Sequence, residues 1–362
     1  MKKSGLLLTL FMLCFFFQTI TLSQEKEPQE KPTYHKWWEE RYFSFPKPNP
    51  KASILPLISV KGNKFINSKG DTILFRGLAI GDPDKLENQG HWNKDHFMKV
   101  KEMGALLVRI PVHPVAWRER TSEKYLELLD QAVDWCADLG MYIIIDWHSI
   151  GNLRMELFQD PMYNTSQKET FEFWRTISAH FRGNNTIAFY EIYNEPATFN
   201  GLLGRVSWDE WKKLAEDIIS LIRAYDKETI PLVAGFDWAY DLTPIHLSPL
   251  EAQGIGYVTH PYPNKRPKPW EPKWEEDFGF AAGNYPVIAT EIGFSPGWRG
   301  HTENDDYGKR ITDYLESKGI SWTAWVFDAD WYPKMIESWE TYELTKSGEF
   351  FKQAMQGEVR QN

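Results

Sequence analysis

The chain has 362 residues, with 41 Lys+Arg against 50 Asp+Glu and a formal net charge of −9. With 42% apolar and 25% charged residues it is an ordinary folded protein, neither disordered nor fibrous; its acidic balance argues against a nucleic-acid binder, which carries a basic patch or stripe. Aromatic residues reach 15%, with 17 Trp, an excess that points to stacking platforms and, with bases disfavoured, leaves sugars as the favoured ligands.

Met1 to Ser23 has the pattern of a signal peptide: Lys2 and Lys3, then an almost wholly apolar Gly5–Phe17, then small and polar residues. It is short for a transmembrane helix and broken by Thr9, Gln18 and Thr19. An uncleaved anchor is the alternative. Its removal takes two lysines and shifts the net charge from −9 to −11. A secreted, periplasmic or cell-surface location is expected, with no stable membrane insertion. One of the two Cys, Cys14, lies in the leader, so Cys136 has no disulfide partner and reads as a core thiol. Residues 24–53 are rich in Pro, Glu and Lys and read as a linker or docking segment, in which Trp37, Trp38, Tyr42 and Phe43 are expected to anchor onto the domain, with a glycan contact as the alternative.

From residue 54 to 357 the sequence predicts one domain. Val60–Phe65 and Thr72–Phe75 flank a turn at Asn67–Gly70, a hairpin that closes one end. Apolar strand-like runs then alternate with amphipathic helices, the signature of βα units. The predicted strands are Leu74–Ile80, Leu106–Val112, Tyr142–Asp146, Ala188–Tyr193, Pro231–Ala234, Gly256–His260, Val287–Glu291 and Ser321–Phe327. The helices are Lys94–Met103, Glu123–Leu139, Lys168–Phe181, Asp209–Tyr225, Asn304–Lys318 and Glu349–Met355, with weak signals before the sixth and seventh strands. Eight strands over this length predict an α/β (β/α)8 TIM barrel. A doubly wound sheet is disfavoured because Gly81-Asp82-Pro83-Asp84 is no phosphate loop.

A barrel of this kind works at the carboxyl ends of its strands. Six of the eight ends carry suitable residues: Arg109, His148, Asn194-Glu195, His260-Pro261-Tyr262, Glu291 and Trp325. Glu195 and Glu291 are the pair of interest. A glycosidic bond needs an acid for the leaving oxygen and a carboxylate across the anomeric carbon. A Glu in an apolar strand such as Ala289–Ile292 would be expensive without a role.

Taken together, these motifs resemble family 5 of the glycoside hydrolases, retaining enzymes, over Ile58 to Met355. The resemblance implies that Glu195 is the acid/base and Glu291 the nucleophile. It places Arg109, His148, Asn194, His260, Tyr262 and Trp325 as substrate-binding or supporting residues, with Trp147 beside His148. Arg109 and Tyr262 are expected to donate to Glu291 and lower its pKa; Asn194 is expected to contact the sugar 2-hydroxyl, and Trp325 to floor the subsite of the reacting sugar. Among the remaining groups, Glu191 is expected inside the barrel with a partner, Asp146 to orient a neighbour, and His91 and His113, near strand ends, either to be satisfied structurally, the favoured reading, or to line the cleft. Asp82, Asp84 and Glu87 read as a solvated loop, with a calcium site as the alternative. Trp92, Trp117, Trp147, Trp238, Trp298 and Trp331 fall in loops, some as sugar platforms and some as plugs. No cofactor or metal is implied: there is no His-Glu-x-x-His, no Cys/His cluster and no Gly-x-Ser-x-Gly elbow.

The resulting expectation is an exported endo-β-glycanase for β-1,4-glucan, such as cellulose or mixed-linkage glucan, with double displacement and a monomeric state as default. A β-mannanase or another β-glucanase of the same family stays open, since the same residues would serve it. A non-catalytic glycan-binding barrel would have lost one carboxylate.

Overall fold

In the computed structural model, residues 55–295 and 305–357 are described. The leader, the 24–53 segment with Trp37 and Trp38, Cys14 and Trp298 lie outside them.

Eight parallel strands form a closed barrel: β1 Arg76–Ile80, β2 Leu107–Val112, β3 Tyr142–Trp147, β4 Ile187–Glu191, β5 Ile230–Ala234, β6 Gly256–Val258, β7 Val287–Ile292 and β8 Ser321–Phe327. Each pairs with its sequence neighbours, and β8 pairs with β1 to close the ring. The predicted strands are all present, within a few residues. Helices Lys94–Glu102, Ser122–Leu139, Gln167–Phe181, Trp208–Tyr225, Asp305–Ser317 and Lys346–Gln356 surround it. Where the periodicity was weak, the helices are short, as in Glu271–Asp277. Helix Trp208–Tyr225 starts at a capping box, with Ser207 and Glu210 each satisfying the other's backbone N–H. None of the described helices is long and apolar enough to cross a membrane.

The hairpin differs from expectation. Ser59–Lys61 pairs with Lys64–Ile66 through a turn at Gly62-Asn63, so Val60–Phe65 is two strands rather than one. Asn67–Gly70 is a second turn, followed only by the bridge Ile66–Thr72. Gly62 sits at φ +60°, a conformation that suits glycine and makes this the tighter reversal.

Side chains along a strand alternate between faces. The outward set packs under the helices, and the inward set fills the barrel. At the amino-terminal end that filling is apolar: Phe65, Phe75, Leu107, Ile144, Phe189, Ile230, Leu232 and Ile288 form one cluster. Phe65 meets Phe189 edge-on at 4.9 Å, and Phe75 meets Phe189 at 5.4 Å. One layer higher the filling becomes charged, with Arg109, Asp146 and Glu191 buried at 0% exposure. The apolar plug keeps water from entering beneath the charged layer.

Phe189→Ala should therefore cost about 3–5 kcal/mol. The expected result is a fall of roughly 10 °C in the thermal midpoint. A fall under about 2 °C would show that the plug contributes little.

Candidate active site

Arg109, at the centre of β2, sits 0% exposed among four acceptors. Its Nε and Nη2 donate to Glu191 at 2.7 and 3.1 Å, its Nη1 to Glu291 at 2.8 Å, and its Nη2 to Asn194 Oδ1 at 2.6 Å. Asp146 Oδ2 lies 3.0 Å from Nη2. A guanidinium carries five donors in a planar fork, and nearly all are used here.

His260 connects the two glutamates of interest. Its Nδ1 is 2.9 Å from Glu195 and 3.8 Å from Glu291. Its Nε2 is 2.9 Å from Thr290 Oγ1, which in turn donates to Glu191 at 2.8 Å. Tyr262 donates its hydroxyl to Glu291 at 2.8 Å. An oxygen of Glu195, a ring nitrogen of His260 and an oxygen of Glu291 all lie within 4.8 Å of one another. That spacing fits the ~5–5.5 Å carboxyl separation of retaining glycosidases and not the ~6.5–9.5 Å of inverting ones.

Four carboxylates thus face Arg109 and His260. Burial disfavours the imidazolium, but Glu291, Glu191 and Glu195 outweigh it and raise His260 to about 9. Burial pushes Glu191 up, yet Arg109 and His260 hold it at about 2. Asp146 is raised well above the usual carboxylate range, chiefly by burial, despite Arg109. Burial also dominates at Glu291 and raises it, with His260, Arg109 and Tyr262 opposing. This corrects the expectation of a lowered pKa. The donors are in place, but desolvation and the negative neighbour outweigh them.

His148 is held by Asp146 at 2.6 Å and lies parallel to Trp325, 2° between planes and 5.3 Å between centroids. Trp325 is in turn parallel to Trp331 at 5.9 Å. These rings and the two glutamates line an open cleft of about 1,000 Å³. Its other wall carries Trp238, whose Nε1 donates to Gln159 at 2.8 Å and whose ring has Lys265 at 4.8 Å. Trp238 stands on a turn after β5 in which Asp237, Trp238 and Ala239 all have φ of 55–57°. Three consecutive left-handed residues are strained, and such strain concentrates at functional sites. The long loop after Tyr262 walls the cleft with Asn264, Lys265 and Arg266.

Trp147 is the misplaced residue. It is 0% exposed, stacks on Phe173 at 4.1 Å and donates to Thr170, behind β3 and away from the cleft. Asp146 and His148 flank it and point inward, so strand alternation alone sends it outward. Trp92 and Trp117 also plug the helix layer. His91 stacks on Trp339. In the acidic loop, Asp84 and Glu87 pair with Arg120, and Asp82 caps a helix.

Glu195 is fixed by more than its side chain. Its N–H donates to Ser149 O at 3.1 Å, and Glu195-Pro196 pairs with Ile150-Gly151 in a small sheet that also holds Leu157-Phe158. Gly151 is required there, because a Cβ would meet Leu157 O at 2.5 Å. Sequence reasoning missed this sheet, whose strands have only two or three residues.

The raised His260 pKa has a consequence for stability. Its contribution is complete below about pH 6.5 and is lost as pH rises through about 9. Glu191 behaves oppositely, its contribution being lost as pH falls through about 2. The thermal midpoint of His260→Asn should therefore show a shallower decline than wild type between pH 6.5 and 9; parallel curves would refute a charged His260.

Several known proteins similar to this chain are named as glucanases. An endoglucanase of Clostridium saccharobutylicum is 25% identical over 314 residues, 83% of this chain and 65% of that protein. Endoglucanase E-5 of Thermobifida fusca is 25% identical over 324 residues, 83% of this chain and 63% of its own length. The chain thus spans under two thirds of these relatives. Among solved structures, a β-glucanase of Saccharophagus degradans in complex with cellotetraose is 45% identical, with a TM-score of 0.85 over 90% of this chain and 100% of that one. The family model for Cellulase (glycosyl hydrolase family 5) matches residues 67–330, and the chain belongs to that family.

Proposed function

We propose that the protein is a retaining endo-β-glucanase acting on β-1,4-linked glucan, as cellulose or a mixed-linkage glucan. The observation that carries this is the Glu195–Glu291 pair, within 4.8 Å of each other's oxygens in one cleft. Glu291 receives two donors, Arg109 and Tyr262, which suit an anionic nucleophile. Among the described residues, the Glu195 carboxyl receives His260 Nδ1 alone. In the first step a Glu291 oxygen bonds to the anomeric carbon. The glycosidic C–O bond breaks, and the leaving oxygen takes the proton of Glu195. In the second, Glu195 takes a proton from water, whose oxygen displaces Glu291 and restores both carboxyls.

Asn194 supports a sugar at this position. Arg109 holds its Oδ1, while its Nδ2 is buried with no hydrogen-bond partner among the described residues. A buried orphan donor is costly unless a ligand satisfies it, and a sugar 2-hydroxyl would. The parallel Trp325 and Trp331 rings suit stacked sugars, and Trp238 beyond the glutamates suits a chain that continues past the cut, as endo action needs. The relatives' names favour glucan over mannan. The leader composition favours export.

Glu291→Ala should lower hydrolysis of carboxymethyl-cellulose by at least about a thousandfold, and Glu195→Ala by about 10²–10⁴-fold, with thermal midpoints near wild type. Near-normal turnover of Glu291→Ala would rule out its assignment. NMR of the first product should show the substrate's anomer, and an inverted anomer would exclude double displacement. Across carboxymethyl-cellulose, barley glucan, glucomannan and laminarin, turnover is expected on the first two; a preference for glucomannan would move the assignment to a mannanase.

A further inference from the structure

We propose that His113 is a substrate-positioning residue whose Nε2 accepts a hydrogen bond from a sugar hydroxyl on the Trp325–Trp331 side of the cleft. This assignment rests on the cleft being a glycan site. His113 follows β2 and is 5% exposed, comparable to Glu291 at 5% and Glu195 at 8%. Asp82, 2% exposed beyond the end of β1, aims it. Asp82 Oδ2 accepts the His113 backbone N–H at 2.8 Å and lies 3.0 Å from its Nδ1. With the Nδ1 proton turned to a carboxylate, Nε2 presents its lone pair.

That nitrogen has no hydrogen-bond partner among the described residues. It is also not sealed away, unlike Nε2 of His96 and Nδ1 of His180, and the ring lines the cleft. The ring is confined by His148 at 4.6 Å, Trp331 at 5.3 Å and Tyr163 at 5.8 Å. Asp146 Oδ2 likewise lies 2.6 Å from Nδ1 of His148. Two imidazoles, each oriented by a buried Asp, therefore stand side by side in one wall. Burying a carboxylate is expensive, and an apolar side chain would fill the space more cheaply. The pairing makes sense if it aims the ring's free nitrogen at a ligand.

A purely structural role would use the other nitrogen, stapling the ends of β1 and β2 through Asp82. The test separates the two. His113→Asn keeps an amide near Nδ1 within reach of Asp82 and removes the atom facing the cleft. His113→Gln places an amide near Nε2 and gives up the Asp82 contact. With kcat and KM measured on an aryl β-cellobioside, His113→Asn should keep its thermal midpoint and lose about tenfold or more in kcat/KM, the worth of one net hydrogen bond. His113→Gln should recover most of that loss. A fully active His113→Asn, or a His113→Gln no better than it, overturns the proposal. Should His113→Gln fail to fold, aryl cellobiosides lacking one hydroxyl at a time decide the matter. At least one should lose about tenfold with wild type and nothing further with His113→Asn; equal losses in both overturn it. A wild-type protein that cleaves no β-glycoside at all refutes the enzymatic assignment instead, a separate outcome.

Discussion

The upper half of the barrel is built around the buried guanidinium of Arg109. A guanidinium with no exposure is tolerable only if carboxylates surround it, and Glu191, Glu291 and Asp146 do so. They come from β4, β7 and β3, so one side chain fixes the inward ends of three strands relative to β2. The cost of that choice is an excess of negative charge. His260 absorbs part of it as a cation, and burial raises Asp146 and Glu291.

The barrel's filling changes character along its axis, and each half depends on the other. Phe65, Phe75 and Phe189 at the bottom make no hydrogen bonds through their side chains and are insensitive to pH. Arg109, Glu191, Thr290 and His260 above them form a connected polar network that satisfies itself only while dry from below. The apolar filling is concentrated in the lower half. Strain, including the left-handed run Asp237–Ala239, is concentrated at the mouth.

Much of this was legible in the sequence because strand and helix periods are written in apolar residues, and because a barrel puts its chemistry at strand ends. All eight strands, and Glu195 with Glu291 in one cleft, follow from that. What escaped had a physical reason in each case. Trp147 was assigned by adjacency to His148, although neighbours on a strand face opposite ways. Asn67–Gly70 carries a richer turn signal than Gly62-Asn63, yet the hairpin reverses at the latter. The pKa of Glu291 was inferred from its donors, but burial, which no local pattern reveals, dominates. Thr290 as a relay and Asp82 as the partner of His113 depend on contacts between residues far apart in the chain.

The sheet joining Glu195-Pro196 to Ile150-Gly151 bears on how such a scaffold can diversify. Barrel enzymes change substrate by varying loops while the strands stay put. Here the loop after β3 is stitched to the backbone of Glu195, so an insertion between Ser149 and Phe158 would displace a carboxylate and not merely reshape a wall. Gly151 tightens the restriction, since no side chain fits at that crossing. Evolutionary freedom is thereby channelled elsewhere, into the segments after β5, β6 and β8 that carry Trp238, Lys265 and Trp331. In this protein the loops are unequal in evolvability, and substrate preference would drift most readily at the two ends of the cleft.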